Sequence, residues 1–400
     1  MATISRQVRF AMLSGDSLPP LSPAEAAHSA RVADYLRSLI AAGGGWLPFP
    51  RFMDAALYAP GLGYYMAGQA RFGPGGDFVT APEISPLFAR CLATQVAELL
   101  ARTGGGDIVE FGGGSGVLAA GLLQALARID ALPRRYHIVE ISAPLRAEQQ
   151  ARIAALPEFA GRVDWLDRPP AGSWQGVLLA NEVADAMPVE RFRATASSCE
   201  SIGVITAGGG FGWQARPADA ALARAVAGLG ISPSDAYVSE WRPMLPAWIR
   251  AATETLQKGA LVLIDYGLPR SQYYHESRAG GSLCAFYRHR RVDDVFSRPG
   301  LQDLTAWVDF TAVAEAAMAC GLEVAGFATQ AHFLVSLGID RELAAALEGA
   351  NTREALALSK GASMLLLPGE MGERFKVMAL TRGIEGALTG FSFRDLSASL

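Results

Sequence analysis

Cysteine and histidine are both scarce in this chain of 400 residues, which has four cysteines and five histidines. The cysteines stand far apart and form no C-x-x-C pair, so neither a disulfide scaffold nor a thiolate zinc site is indicated. No two histidines are separated by four positions, which excludes an H-E-x-x-H metalloprotease. We therefore predict a protein of a reducing compartment that binds no metal.

Positive charge and long apolar runs are also lacking. The chain has 35 lysines and arginines against 39 acids, a formal net charge of −4, whereas a general nucleic-acid binder usually carries a basic excess. No apolar run approaches the ~18 residues of a membrane span, and the amino terminus has no secretory hydrophobic region. We expect no nucleic-acid partner, no membrane insertion and a bacterial cytoplasmic location. A mitochondrial matrix form is the alternative, disfavoured by a short and weakly basic leader.

Apolar residues, at 50% of the chain, are ample for a large core. From residue 107 onward, short apolar strands alternate with amphipathic helices, which indicates βαβ units and a parallel sheet covered on both faces. The predicted strands are 107–111, 135–141, 162–166, 176–181 and 259–267, with helices at 116–128, 144–155 and 243–257. We predict a doubly wound, Rossmann-like α/β sheet with a helical N-terminal extension.

We divide the chain into two parts. Residues 1–105 are predicted to form a helical region that ends in a lid over a cofactor, because 59–85 is a long loop rich in glycine, proline and aromatics. Residues 106–400 are predicted to form the core, with insertions around 189–240 and 267–310 that lack its regular winding.

The most informative motif is the glycine loop Glu110-Phe111-Gly112-Gly113-Gly114-Ser115-Gly116, between a predicted strand and a helix. Glycines let the backbone turn sharply and approach a ligand, and the helix N-terminus offers free N–H groups. The G-x-G-x-x-G spacing of a dinucleotide site is imperfect here. The acid before the first glycine and the glycine at 116 indicate S-adenosylmethionine instead. Glu140, at the end of the next strand, is placed to accept hydrogen bonds from ribose hydroxyls.

A second motif follows the strand 176–181, in the run Asn181-Glu182-Val183-Ala184-Asp185. Ligands bind outside the carboxyl ends of strands in open α/β sheets, so we expect these side chains beside the reactive methyl group. Glu182 and Asp185 are three positions apart and can face the same way on one turn. Such a pair suits a guanidinium group, which it would hold by charge-assisted bidentate bonds.

Several motifs together resemble the MidA-like family of class I methyltransferases, which includes a mitochondrial complex I assembly factor that methylates an arginine. The motifs are GDFVTAPEIS (76–85), EFGGGSG (110–116), VEIS (139–142), ANEVADAMPVERF (180–192), IDYG (264–267), PGLQDLTAWVDFT (299–311) and MGERFKVM (371–378). The resemblance implies an S-adenosylmethionine-dependent protein-arginine methyltransferase that makes symmetric dimethylarginine on a complex I-type subunit. It implies a cofactor site of Glu110, Gly112, Gly114, Gly116, Glu140 and Asn181, with Asp77, Thr80 and Glu83 in the lid.

We assign guanidinium orientation to Glu182 and Asp185, with Glu83 as a third candidate acid. Three alternatives remain open at this point. They are a NAD-dependent oxidoreductase, a small-molecule N-methyltransferase that would share every cofactor residue, and a non-catalytic assembly factor that binds a partner subunit. The sequence does not indicate an oligomeric state.

Overall fold

A computed structural model describes residues 18–68, 80–231 and 236–400 of the chain. Its α-helices are α1 (Pro23–Ala42), α2 (Phe49–Tyr58), α3 (Ala81–Ile84), α4 (Pro86–Thr103), α5 (Val117–Arg128), α6 (Ala143–Ala154), α7 (Pro157–Ala160), α8 (Ala220–Ala227), α9 (Leu245–Thr253), α10 (Arg270–Tyr273), α11 (Phe310–Ala319), α12 (Gln330–Ser336), α13 (Ile339–Leu347), α14 (Thr352–Leu366) and α15 (Met371–Arg374). Its strands are β1 (Asp107–Phe111), β2 (Tyr136–Val139), β3 (Val163–Leu166), β4 (Trp174–Asn181), β5 (Glu190–Ala194), β6 (Cys199–Ala207), β7 (Gly210–Pro217), β8 (Tyr237–Trp241), β9 (Leu256–Leu268), β10 (Cys284–Tyr287), β11 (Arg290–Val292), β12 (Asp303–Thr305), β13 (Val308–Asp309), β14 (Glu323–Thr329) and β15 (Phe375–Arg382).

The main sheet has the strand order β14-β15-β9-β4-β1-β2-β3. Strands β9, β4, β1, β2 and β3 run parallel to one another, whereas β15 is antiparallel to both β9 and β14. Helices cover both faces, α4 and α5 on one and α9 and α11 on the other. The predicted doubly wound Rossmann-like fold is therefore confirmed.

Local sequence signals define the core helices. The Ser85 hydroxyl accepts a hydrogen bond from the Leu87 N–H at the start of α4, Pro86 occupies the first helical position, and Gly104 ends the helix with a φ of +75°. These are the residue types that favour helix starts and ends. Because α4 buries its apolar face against α5 and the sheet, it holds in place the helix that follows the glycine loop.

The two predicted insertions form sheets of their own. Strands β5–β8 make a four-stranded antiparallel sheet, and β10–β12 make a three-stranded one. A turn at Gly208 and Gly209 joins β6 to β7, where Ala207 pairs with Gly210. Helices α1 and α2 pack on these sheets through one apolar cluster that includes Leu36, Phe52 and Leu304. We call α1, α2, β5–β8 and β10–β12 the cap.

The division of the chain at residue 105 stays a prediction.

Across the described ranges, no helix combines the length and the apolar character that a bilayer crossing requires.

Candidate active site

A cavity of about 1200 Å³ lies between the carboxyl edge of the main sheet and the cap. The strand order reverses between β1 and β4 at this edge, which is where open α/β sheets bind ligands. The predicted site residues that line it are Thr80, Glu83, Glu110, Gly112, Gly114, Glu140, Asn181, Glu182 and Asp185. Gly116 precedes the first residue of α5, and Asp77 lies outside the described residues.

The glycine loop has the backbone that its sequence predicts. Gly112, Gly114 and Gly116 have φ angles of +62°, +53° and +81°, a region that residues with a Cβ rarely adopt. At Gly113, a Cβ atom would lie 2.8 Å from the Ile138 side chain. We call the loop 112–116 the cradle, because it borders the cavity and leaves room there for a ligand. Its glycines cannot be replaced without backbone strain or a collision with neighbouring atoms.

Gln149 on α6 holds the cradle and the next strand end together. Its amide nitrogen donates hydrogen bonds to the Gly114 carbonyl (2.9 Å) and to the Glu140 carboxylate (3.0 Å). Its amide oxygen accepts one from the Trp165 indole at 3.0 Å. Sequence reasoning missed this residue; the signal that could have found it is a glutamine four positions from both Leu145 and Ile153, on the apolar face of the helix.

Two buried acids follow at the ends of β1 and β2. Glu110 accepts a hydrogen bond from the Tyr136 hydroxyl at 2.7 Å, and burial raises its pKa to about 7. Glu140 accepts one from the Ser142 N–H at 2.8 Å, and burial raises its pKa as well. Each carboxylate oxygen has two lone pairs, so both acids keep acceptor capacity toward the cavity.

The residues after β4 form an irregular turn, so the spacing argument for Glu182 and Asp185 on one regular turn does not apply. Glu182 has a φ of +53°, which is uncommon for a residue with a side chain. Asp185 is buried, and its carboxylate accepts hydrogen bonds from the Thr305 hydroxyl (2.8 Å) and from the Tyr266 hydroxyl. Both acids nevertheless line the cavity.

Asp265 at the end of β9 explains the shape of this turn. Its fully buried carboxylate accepts hydrogen bonds from the N–H groups of Ala184 (3.0 Å), Asp185 (3.1 Å) and Tyr266 (2.9 Å). It therefore fixes the backbone that carries both candidate acids. Asp265 belongs to the motif IDYG (264–267), but the sequence did not indicate that it binds across to the neighbouring strand.

Burial raises the pKa values of the acids in this region, and the charges of neighbouring acids add to the effect at Glu182 and Asp265. Burial, reinforced by the charge of Asp185, raises the pKa of Glu182 to about 8. Burial also raises the pKa of Asp185, and that of Asp265 lies well above its ordinary value. At neutral pH the cluster thus holds protons that an arriving cation would displace. In the described part of the chain, no three His, Cys, Asp or Glu side chains are grouped to hold a metal ion.

Thr80 and Glu83 belong to the segment predicted to form a lid, and both border the cavity beside the glycine loop. Thr80 precedes α3, and Glu83 lies within it. The Glu83 carboxylate accepts a hydrogen bond from the Ser115 hydroxyl, which joins this end of the predicted lid to the glycine loop.

The raised pKa of Glu182 makes the stability of the protein depend on pH. Its ordinary value of 4.5 applies to the unfolded chain, whereas the folded value is about 8. Between these values the folded state holds the extra proton, so the free energy of unfolding falls as pH rises. We expect urea denaturation between pH 5 and pH 8 to show a smaller decrease for Glu182→Gln than for the parent protein. Equal slopes would contradict the raised pKa.

A glycine cradle followed by strand-end acids on a doubly wound sheet defines a nucleotide-cofactor-binding α/β protein. Residues 89–328 match the family described as "Putative S-adenosyl-L-methionine-dependent methyltransferase", and the chain belongs to that family. It is also 28% identical to mouse protein arginine methyltransferase NDUFAF7, mitochondrial, over 89% of this chain and 86% of the mouse protein. For the Caenorhabditis elegans homolog the identity is 27%, over 84% and 83%.

Two solved structures are similar to this chain over nearly all of its length. A Burkholderia thailandensis crystal structure with bound S-adenosyl-homocysteine is 43% identical, with a TM-score of 0.91 over 96% of this chain and 100% of that one. A native structure from the same organism is 42% identical with a TM-score of 0.89. The chain is therefore an S-adenosylmethionine-dependent methyltransferase.

The residues present fit this cofactor. The cradle is kept open by glycines, and the amide oxygen of Asn181 at the end of β4 is buried with no hydrogen-bond partner in the described ranges. An acceptor in that position suits the cationic amino group of a bound methionine moiety.

Proposed function

We propose that the protein is a protein-arginine N-methyltransferase that forms symmetric dimethylarginine, with a respiratory complex I-type subunit as its substrate. The observation that carries the proposal is the pair Glu182 and Asp185, which lines the cofactor cavity just after β4. A cationic guanidinium is the methyl acceptor that such a pair suits. The relatives named protein arginine methyltransferase support the same assignment. The similarity to the Burkholderia structures supports a bacterial protein, and we propose a cytoplasmic location.

In this proposal the cofactor lies across the ends of β1, β2 and β4. Its contacts are Glu110, Gly112, Gly114, Gly116, Glu140 and Asn181, with Asp77 and Thr80 of the lid. The N–H groups at the start of α5 and the Asn181 amide oxygen bind the methionine part, and Glu140 binds the ribose hydroxyls.

The bound cofactor supplies an electrophilic methyl group on a sulfonium. The guanidinium nitrogen bonds to that carbon while the carbon–sulfur bond breaks, its electrons go to sulfur, and the nitrogen loses one proton. The chain contributes mainly alignment of the reacting atoms. Asp185 is fixed by Tyr266 and Thr305, and its second carboxylate oxygen is buried without a partner in the described ranges, so it can orient the guanidinium. Glu182, next to it, accepts the proton.

Glu182 is suited to this task by its environment. Its pKa of about 8 lies near the operating pH, as efficient general bases require. The charge of an arriving guanidinium favours the ionised form, so the acid loses its proton as substrate binds. Glu83, which is hydrogen-bonded to Ser115, is the third acid of the proposal.

The test uses unfolded peptides that contain arginine, or lysine in its place, together with isotope-labelled S-adenosylmethionine. We expect label only in the arginine peptides, and mass spectrometry of the digested product should show symmetric dimethylarginine. Gly114→Trp, which fills the cradle, should abolish the signal. Labelling of the lysine peptides or of small amines alone would contradict the proposal.

A further inference from the structure

The insertion around 267–310 contributes a wall of basic side chains to the cavity. Arg278 ends a short 3-10 helix (Glu276–Arg278) before β10, and the tip and strand β11 of the following hairpin contribute His289 and Arg291. All three residues line the same cavity as Glu182 and Asp185. The cavity is therefore acidic beside the main sheet and carries basic side chains along part of the cap, where Asp303 of β12 also lines it and accepts a hydrogen bond from the Tyr65 hydroxyl at 2.9 Å.

Arg278 is the best-placed residue of this wall. Its guanidinium lies 4.4 Å from the centre of the Trp307 ring, and the side chain is half-buried. Such a cation–π contact fixes a guanidinium against one face and leaves its N–H edge available. Within residues 18–68, 80–231 and 236–400, no carboxylate forms an ion pair with Arg278. By contrast, Arg291 of the same wall forms an ion pair of 3.3 Å with Asp293, and Arg270 pairs with Glu315.

The distance between the two ends of the cavity can be followed through two aromatic rings. The Tyr266 hydroxyl donates to Asp185, and the Tyr266 ring lies 6.5 Å from that of Trp307, on which Arg278 is stacked. The path from the Tyr266 ring to the Arg278 guanidinium thus consists of 6.5 Å between the ring centres and a further 4.4 Å from the Trp307 ring. An extended peptide advances ~3.3–3.6 Å per residue, so about two to four residues cover the path from the acid pair to Arg278.

The hairpin that completes the wall is held in an unusual conformation. Arg288 and His289, at its tip, have φ angles of +47° and +60°, where glycine or asparagine is the usual residue. An ion pair of 2.8 Å between Arg288 and Glu25 ties the tip to α1. Backbone strain of this kind is retained where the surrounding structure supports it, and it clusters at binding sites.

We propose that this wall binds a carboxylate of the protein substrate, the side chain of an acidic residue two to four positions from the methylated arginine. Arg278, oriented by Trp307, is the specificity-determining residue, and His289 and Arg291 line the same cavity. The inference rests on the proposed function, because it takes the acid pair as the place where the arginine binds. Charge complementarity at both ends would then fix the direction and register of the peptide.

The experiment varies the arginine and the acidic residue of the peptide independently, so that the contribution of each to binding is measured. Fluorescent glycine–serine peptides carry arginine or alanine at one position and glutamate or glutamine at a second, two, three or four residues away on either side. Binding to the full-length protein saturated with S-adenosyl-homocysteine is measured by anisotropy. The variants are Arg278→Gln and, as a matched control, Arg216→Gln, which removes an arginine stacked on Trp46 at 4.7 Å outside the cavity.

We expect glutamate to improve binding by about five- to tenfold over glutamine at one spacing, a size typical of a half-buried ion pair. Arg278→Gln should abolish that preference while Arg216→Gln preserves it. Arg278→Glu should favour a peptide with lysine at the same position. Equal binding of glutamate and glutamine peptides, including no binding of either, overturns the inference. If glutamate matters but arginine and alanine peptides bind equally, the proposed function fails while the carboxylate site stands.

Discussion

Replacing Glu182 with glutamine is expected to lower kcat by about a thousandfold and to leave the Kd for S-adenosylmethionine within about twofold. Glutamine has the size of glutamate and can still accept the hydrogen bond that the Asn181 amide donates at 3.2 Å. It can neither take the proton from the guanidinium nor offset its charge. The measurement is single-turnover methylation of an arginine peptide, with calorimetric titration of the cofactor on the same preparation.

Glu190→Gln is the matched control, because Glu190 is another acid whose pKa is raised by burial, hydrogen-bonded to Ser201 but outside the cavity. It should retain the parent rate. The rate of the parent protein should also rise with pH through about 8, the pKa of Glu182, when substrate is dilute. That rise should be absent in Glu182→Gln. A variant that loses cofactor binding instead would place Glu182 in the cofactor site.

The main sheet and the glycine loop were predictable because their signals are local. An apolar strand followed by Gly112, Gly114 and Gly116 specifies both the backbone of the loop and its position at a strand end, and the alternation of strands and helices indicates a parallel sheet. For the same reason, the two acids after β4 could be placed at the carboxyl edge without knowledge of their conformation.

Other features depend on contacts between distant parts of the chain, which residue spacing does not encode. The turn at Glu182 is irregular because Asp265, some eighty positions later, binds its N–H groups. The wall formed by Arg278 and Trp307 requires the cap to be assembled from α1, α2 and both insertions. The sequence shows which residues could act, and the packing decides which of them meet.

Replacing Asp265 with alanine is expected to reduce both stability and activity. The substitution leaves the N–H groups of Ala184, Asp185 and Tyr266 buried without their acceptor, at a cost of about 1–3 kcal/mol for each unsatisfied group. We therefore expect the free energy of unfolding to fall by about 3 kcal/mol or more, and the methylation rate to fall about a hundredfold, because small misplacements of catalytic groups are costly. Urea denaturation and single-turnover methylation measure the two effects.

Loss of stability alone does not explain the expected loss of rate, and a second variant separates the two. Leu380 is fully buried on β15 and pairs with Leu261, in the middle of β9 and four positions before Asp265. Leu380→Ala should cost a similar ~2–5 kcal/mol through the cavity it creates, yet leave the turn that carries Glu182 and Asp185 unchanged. At a temperature where both variants are folded, only Asp265→Ala should be slow. If both retain the parent rate, the acids do not depend on Asp265 for their position, and the alignment proposed for the guanidinium must come from another part of the cavity.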